Sequence, residues 1–382
     1  MTPDLDASVD GMIAAISGTR APISGTITNA LHAVPRHMFV PSVAVALTDA
    51  GPELIDRGCD PEAWWAAVYG TAAIVTQLDK GATDIRTVEG RYTSSNSAPG
   101  TVVDLLTQLD PEPGHRVLEV GTGTGWTAAL LSHLIGDASR VTSIEVDPAL
   151  AEQAAKTLAA AEVHPHLIVG DGADGWPERA PYDRVHVTCA VHTVPYAWIE
   201  QCRPGAVIVT PYSPGFDTDQ SLRLVAMPDG SAVGRFPGYT SYMMMRSQGA
   251  TPGNPDDGSG RRFNTAVDPR TIAYAPAGAG LMMSALTGLR MRLDDEQRLF
   301  LVDPGDPGQW GAALYEPDDE PWVYELGDRH LWEEVTGAYF EWVGCGEPGL
   351  DRFGMTVTPE GQQLWLDAPQ ATIGPRRGPY QA

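Results

Sequence analysis

Three alternating glycines, Gly121, Gly123 and Gly125, follow the apolar run Val117-Leu118-Glu119-Val120 and precede Trp126. Glycines at that spacing let a chain turn tightly and let a ligand approach the backbone with no Cβ in the way. The helix that follows would present free N–H groups to that ligand. A dinucleotide loop of the form G-x-G-x-x-G wants its third glycine where this chain has Trp126, so a pyrophosphate is not the expected guest. Glu119, two residues before the first glycine, is placed to meet an ammonium group. Glu145 lies 24 residues after Gly121 and could accept both hydroxyls of a ribose. Asp171-Gly172 follows a third apolar run, where an acid can approach an adenine amino group. Together with Thr122 inside the loop and Val146 beside Glu145, the pattern fits a ligand with a ribose, an adenine and a cationic amino-acid tail. The expected cofactor is S-adenosylmethionine.

These residues need a scaffold, and the pattern from about 101 to 212 supplies one. Val102, Leu105, Leu106 and Leu109 recur at helical spacing. Short apolar strands are expected at 116–120, 140–146, 166–169, 184–187 and 206–210. Between them fall a helix over 126–135 closed by Gly136 and an alanine-rich helix over 148–161 opened by Pro148. Strand and helix in alternation with short connections predict an α/β fold, a parallel sheet with helices on both faces.

Before this core, residues 1–95 read as short helical patterns and loops, with a helix over 62–69 and an extended apolar segment over 34–41 between two prolines. The polar, turn-rich stretch 251–260 reads as a linker. A small α+β unit is expected after it, with strands at 298–302, 312–315, 322–325, 355–358 and 363–366 and a helix over 331–343. Five of the ten tryptophans fall in the last 82 residues, where they would build a core or line a groove for peptide. The domain expectation is therefore 1–95 as an extension forming part of the substrate site, 96–250 as the cofactor-binding domain, 251–260 as linker, and 261–382 as a C-terminal domain for peptide recognition.

Composition limits the partners. The chain carries 49 Asp+Glu against 25 Lys+Arg over 382 residues, a formal charge of -24. Nucleic acid and anionic membranes both require a basic surface, so neither is expected. The acidic start lacks the features of a signal peptide, no run of about 18 apolar residues occurs, and four scattered cysteines suggest free thiols. A cytoplasmic protein is the expectation.

From about Val34 to Tyr212 the chain resembles the protein-L-isoaspartate O-methyltransferases. The matching pieces are Val34-Pro35-Arg36-His37-Met38-Phe39-Val40-Pro41, Ser97-Ala98-Pro99, the glycine loop, Gly170-Asp171-Gly172, residues 180–186, Val194-Pro195 and residues 202–206. The resemblance implies a class I S-adenosylmethionine-dependent methyltransferase fold that esterifies carboxylates, with Glu119, Gly121, Gly123, Gly125, Glu145, Asp171 and Gly172 toward the cofactor. It also implies that Ser97 is the catalytic-loop hydroxyl. The chain continues some 140 residues beyond the sheet, where the repair enzymes it resembles stop. Its segment 91–99 is dense in hydroxyls, with Thr93, Ser94 and Ser95 as weaker substrate candidates. With Trp65, Tyr69, Val75-Thr76-Gln77, Thr188-Cys189 and Gly234-Arg235-Phe236, it looks like the branch associated with ribosomally made peptides (ATP-grasp-modified, lanthipeptide and lasso systems). In that branch, the resemblance implies, an aspartate of a constrained precursor peptide is methylated and the ester closes to an aspartimide, which persists or hydrolyses to isoaspartate.

An aspartyl carboxylate is ionised at pH 7 and needs no base to become a nucleophile. It needs orientation and partial stripping of water. Ser97 would orient one carboxylate oxygen while the other attacks; the competing reading makes it a capping or turn hydroxyl before the 101–109 helix. His192 would contact substrate or is an ordinary loop histidine, and Cys189 shares its strand end without the surroundings of a reactive thiolate. His164 and His166 lack further ligands, and no metal site is expected.

Overall fold

The computed structural model describes residues 3–20, 22–216, 219–249, 253, 256, 258–294, 296, 298–315 and 320–374. The chain packs as two compact units: residues 1–189 with 197–210, and residues 190–196 with 211–382.

The first unit opens with helices α1 (Leu5–Ser17) and α2 (Gly25–Ala33), strands β1 (Val43–Thr48) and β2 (Gly51–Asp56), helix α3 (Pro61–Val68), and strands β3 (Ile74–Leu78) and β4 (Tyr92–Asn96). The four strands form an antiparallel sheet in the order β2-β1-β3-β4. Its small core is Val45, Val75 and Leu78, with Leu47, Ile85, Val88 and Tyr92 packed around it. Residues 1–95 are thus built around a sheet, rather than the helices and loops expected. The polar, Pro-containing edge strand β2, with half of its residues exposed, carries little apolar alternation to reveal it. The segment 34–41 also differs from expectation: Arg36–Phe39 is a 3-10 turn.

Helix α4 (Pro99–Leu109) then leads into β5 (Val117–Val120), α5 (Trp126–Ile135), β6 (Val141–Glu145), α6 (Pro148–Ala160), β7 (His166–Val169), β8 (Tyr182–Val187), α7 (Tyr196–Glu200) and β9 (Cys202–Tyr212). The parallel strands run in the order β9-β8-β5-β6-β7. Chain order therefore reverses between β5 and β8. Such switch points open a crevice at the carboxyl ends of the strands, and the glycine loop leaves β5 there. Helix α4 turns Val102, Val103, Leu105, Leu106 and Leu109 into the core. Helix α5 is apolar nearly all round and ends in left-handed Gly136.

The second unit contains β10 (Gln220–Ala226), β11 (Ala232–Tyr239), β12 (Arg261–Asn264), α8 (Pro269–Ala273), α9 (Ala277–Thr287), β13 (Arg290–Leu293), β14 (Leu299–Asp303), β15 (Asp306–Leu314), β16 (Trp322–Leu326), α10 (Leu331–Gly344), β17 (Phe353–Thr358), β18 (Gly361–Leu366) and β19 (Thr372–Ile373). Its strands pair in two runs, β19-β18-β17-β11-β10 and β12-β16-β15-β14-β13. Because β11 pairs with β17, residues 211–249, expected with the cofactor domain, pack with the C-terminal residues. The linker expected at 251–260 lies partly outside the described residues. Of the five late tryptophans, Trp332, Trp342 and Trp365 are core residues, and Trp322 is covered by the Arg262 guanidinium at 3.8 Å. No described helix is long and apolar enough to cross a membrane.

Candidate functional site

The glycine loop takes its shape from backbone geometry that only glycine tolerates. Gly121 has φ +96°, and a Cβ there would sit 2.5 Å from the Thr188 hydroxyl of the neighbouring strand end. That hydroxyl donates to the carbonyls of Val120 at 3.1 Å and Gly121 at 2.5 Å, locking the loop to β8. Gly123 (φ +54°) and Gly125 (φ +88°) are also left-handed. Gly172, after β7, has no room for a Cβ because Val120 Cγ1 occupies that space.

The acids converge on this loop in different states. Glu145, at the end of β6, accepts from the Gly123 N–H at 2.9 Å and the Asp147 N–H at 3.0 Å. Glu119 is fully buried. Its Oε2 accepts from Ser143 at 2.5 Å, Ser143 also shares a 2.6 Å hydrogen bond with Thr122, and Glu119 Oε1 has no partner among the described residues. Burial, reinforced by the charge of Glu145 and opposed by the Ser143 hydrogen bond, pushes its carboxyl up to about 8. A buried, unsatisfied carboxyl oxygen is costly unless a cation or donor arrives. Asp171 accepts from the Ala173 N–H at 3.0 Å. Val146 is 41% exposed, an apolar side chain beside Glu145 that can lie against a ring. The site thus offers a buried acceptor, a carboxylate held by two N–H groups, and a backbone cradle.

Strand β4 supplies the other wall. The Cβ position of Gly123 lies 3.6 Å from the Ser95 carbonyl oxygen and 3.9 Å from the Ser94 hydroxyl. Asn96 donates to Thr124 at 3.0 Å, and Gln77 of β3 donates to Asp147 at 3.1 Å. Thr93, Ser94 and Ser95 are therefore strand residues, not loop residues. The hydroxyl of Thr93 donates to Gln77 and accepts from the Lys80 N–H, while that of Ser94 accepts from Thr76 at 3.2 Å.

Ser97 sits between β4 and α4. Arg36, fully buried, grips its carbonyl at 2.9 Å and also donates to the Asn96 side chain at 2.7 Å and to the carbonyls of Val68 and Ala72 at 2.9 Å. The Ser97 hydroxyl makes no hydrogen bond among the described residues. Helix α4 has Ala98 at its N-cap and no side-chain cap, so the hydroxyl does not cap it. The sequence offers Arg36 only as part of the family-like segment 34–41 and assigns it no role; its one signal there is an arginine within an apolar segment. Asn96, Gln77, Asp147 and Thr188 were likewise not singled out as loop supports.

His192 packs within the second unit. Its Nδ1 hydrogen-bonds the Ser213 carbonyl at 2.8 Å, and burial lowers its basicity, with Arg290 adding to the effect. Cys189, by contrast, belongs to the first unit; burial first, then Glu145 and Asp171, push its thiol up to about 12. That disfavours a thiolate.

A family model described as protein-L-isoaspartate(D-aspartate) O-methyltransferase matches residues 72–248. The protein-L-isoaspartate O-methyltransferase 2 of Archaeoglobus fulgidus is 33% identical over 212 residues, covering 55% of this chain and 80% of the relative. The chain belongs to the protein-L-isoaspartate O-methyltransferase family. Members from Pyrococcus horikoshii and Methanopyrus kandleri are 40% and 42% identical over 137 and 117 residues, or 35% and 30% of this chain. The chain matches 61% and 52% of the length of those two relatives. A solved structure of a protein-L-isoaspartate O-methyltransferase aligns with 94% of this chain and 100% of its own, at TM-score 0.56 and 20% identity. The fold is the α/β class I methyltransferase fold with additional structure after the sheet. That alignment extends past the sheet into the C-terminal part of this chain.

Proposed function

We propose that this protein is an S-adenosylmethionine-dependent carboxyl O-methyltransferase that esterifies an aspartate side chain of a ribosomally made, constrained precursor peptide. The observation that carries the methyl-transfer reading is the Ser97 hydroxyl, left without a partner among the described residues while Arg36 holds its carbonyl, just after the strand that borders the glycine loop.

When bound, S-adenosylmethionine supplies an electrophilic methyl group on a sulfonium. Glu119 Oε1 would accept from the ammonium end, Glu145 from the ribose hydroxyls and Asp171 from the adenine amino group, with Gly121, Thr122, Gly123, Gly125, Val146 and Gly172 shaping the cradle. Ser97 donates to one oxygen of the substrate carboxylate and leaves the other free to attack. Methyl transfer would make the ester O–CH3 bond in exchange for the donor's S–CH3 bond, and no proton need move. On the peptide, the following backbone nitrogen then attacks the ester carbonyl; methoxide leaves and takes the amide proton as methanol. That closure gives the aspartimide, and its hydrolysis gives isoaspartate.

The precursor-peptide reading is supported by the hydroxyl-dense segment 93–97 and by a second unit available for recognition. The 33% identity to a protein-L-isoaspartate O-methyltransferase across 80% of its length favours a second reading, repair of isoaspartyl residues in proteins. A non-catalytic S-adenosylmethionine-binding module is the reading that the loop, acid and hydroxyl positions support least. The deciding experiment offers methyl donor with matched Asp and isoAsp peptides and with a constrained precursor, following +14 and −18 mass shifts. Methylation of the Asp-containing precursor supports the first reading, and methylation of isoAsp peptides alone overturns it.

A further inference from the structure

Within the second unit lies a cavity of about 300 Å³, toward the lower end of the range for small-ligand sites. Its walls include Arg290, His192, Tyr212, Ser213, Ser284 and Gln362, and no acidic residue is among the described lining. In a chain with 49 acids and 25 Lys+Arg, a cavity lined by an arginine and no carboxylate is the reverse of the surface average.

Arg290 is the centre of the argument. It opens β13, the edge strand of its sheet, two residues after the left-handed Gly288 that caps α9. Its stem rests on Gly215, where a Cβ would come within 2.9 Å of Arg290 Cγ, and the next residue's N–H donates to the Gly215 carbonyl at 2.6 Å. The position is therefore fixed by backbone. Its guanidinium nevertheless makes no hydrogen bond or ion pair among the described residues, and it is half-buried. Arginines that build the fold here look different: Arg261 is paired with buried Glu325, and Arg329 with Asp303 and Glu334. A half-buried guanidinium with five idle donors matches a planar carboxylate.

The neighbours add donors and withhold competing acids. The Ser213 and Ser284 hydroxyls have no partner among the described residues. Burial pushes the Tyr212 phenol above its usual range, so it remains a neutral O–H. Gln362 is committed to the wall, donating to the His192 carbonyl at 2.7 Å and accepting from the Val194 N–H at 2.8 Å. His192 Nδ1 faces a carbonyl acceptor, the Ser213 oxygen, and must carry the proton there.

We propose that this cavity binds a carboxylate of the peptide substrate, other than the one methylated, through Arg290. The proposal rests on the methyltransferase reading for the peptide's identity and on the cavity alone for the chemistry. The carboxylate is either the peptide's C-terminus or an acidic side chain.

The test uses the full chain and direct binding by calorimetry, independent of methyl transfer. The probes are an amidated peptide without acids, the same peptide with a free C-terminus, the amidated peptide carrying one glutamate, and inorganic phosphate. One carboxylate-bearing peptide is expected to bind at least tenfold more tightly than the neutral one, and which of the two does so names the source. Arg290→Ala should remove about 10–100-fold of that affinity, and Arg290→Lys, which keeps charge but loses the fork, should restore part of it. Equal binding of all peptides, or binding of phosphate alone, overturns the proposal. In turnover with an aspartyl peptide bearing the chosen carboxylate, Arg290→Ala should raise KM and leave kcat unchanged. If the wild-type chain methylates no peptide yet the calorimetric pattern holds, the function reading fails and the cavity proposal stands. If methylation proceeds and the Arg290 variants bind as wild type, only the cavity proposal fails.

Discussion

The Arg36 guanidinium holds the Ser97 carbonyl at 2.9 Å, and the hydroxyl of the same serine makes no hydrogen bond among the described residues. One side of the residue is fixed by a buried charge, and the other is left to a ligand. Ser97→Ala should therefore lower kcat about 10–100-fold, the worth of a hydrogen bond to a charged group, with cofactor affinity unchanged. Single-turnover rates and equilibrium cofactor binding on the same variant check this; parallel losses in both would reduce the hydroxyl to a wall of the pocket.

Arg36 should matter to folding first. Its donors satisfy carbonyls and an amide drawn from three segments, and truncation leaves those acceptors buried and unpaired. Arg36→Ala should cost about 3 kcal/mol or more, read as a lowered denaturant midpoint. A variant with wild-type stability and lost activity would contradict this order of effects.

Glu119 gives a pH signature. Burial raises its folded pKa to about 8 from the ordinary glutamate value of 4.5, so its contribution to stability without ligand is fully present below about 4.5. That contribution is lost as pH rises through about 8. Cofactor binding favours the ionised form, so affinity should climb as pH rises from 6 to 8 and binding near pH 7 should release a proton. Glu119→Gln should flatten both profiles. Calorimetry in buffers of differing ionisation heat reads the proton directly, and zero release in the wild type would refute the pairing.

Gly121→Ala should destabilise the loop by about 1–3 kcal/mol and abolish cofactor binding, because φ +96° and the Thr188 hydroxyl both oppose a Cβ. Adding Thr188→Ala should recover part of the stability by removing the contact but not the strained φ. No recovery in the double variant would place the whole effect in the backbone.

What the sequence revealed and what it hid follow from range. The elements around the glycine loop were legible because each carries its own period and punctuation: α4 spaces its apolar residues at one face, and α5 ends at Gly136. Strand β4, Tyr-Thr-Ser-Ser-Asn, carries no apolar alternation: Tyr92 packs on the sheet's small core while Ser94 and Ser95 border the glycine loop, and its hydroxyls read as loop chemistry. The division between units was hidden for another reason. Strand β11 pairs with β17, some 120 residues later, and composition is silent about such pairings. A cut at residue 250, natural from composition, would strip β11 of that partner and leave an open strand edge.

Hydrogen bonds between the N-terminal segments and the loop region, among them Gln77 to Asp147 and Trp126 to the Val34 carbonyl at 3.1 Å, also set a timetable. Gln77 must wait for Asp147, 70 residues on, and the Val34 carbonyl for Trp126, 92 residues on. At a synthesis rate of about 5–20 residues per second, the first wait lasts about 4–14 s. The N-terminal sheet thus leaves the ribosome before the residues it braces exist, and these ties to the cofactor cradle close only as a late step.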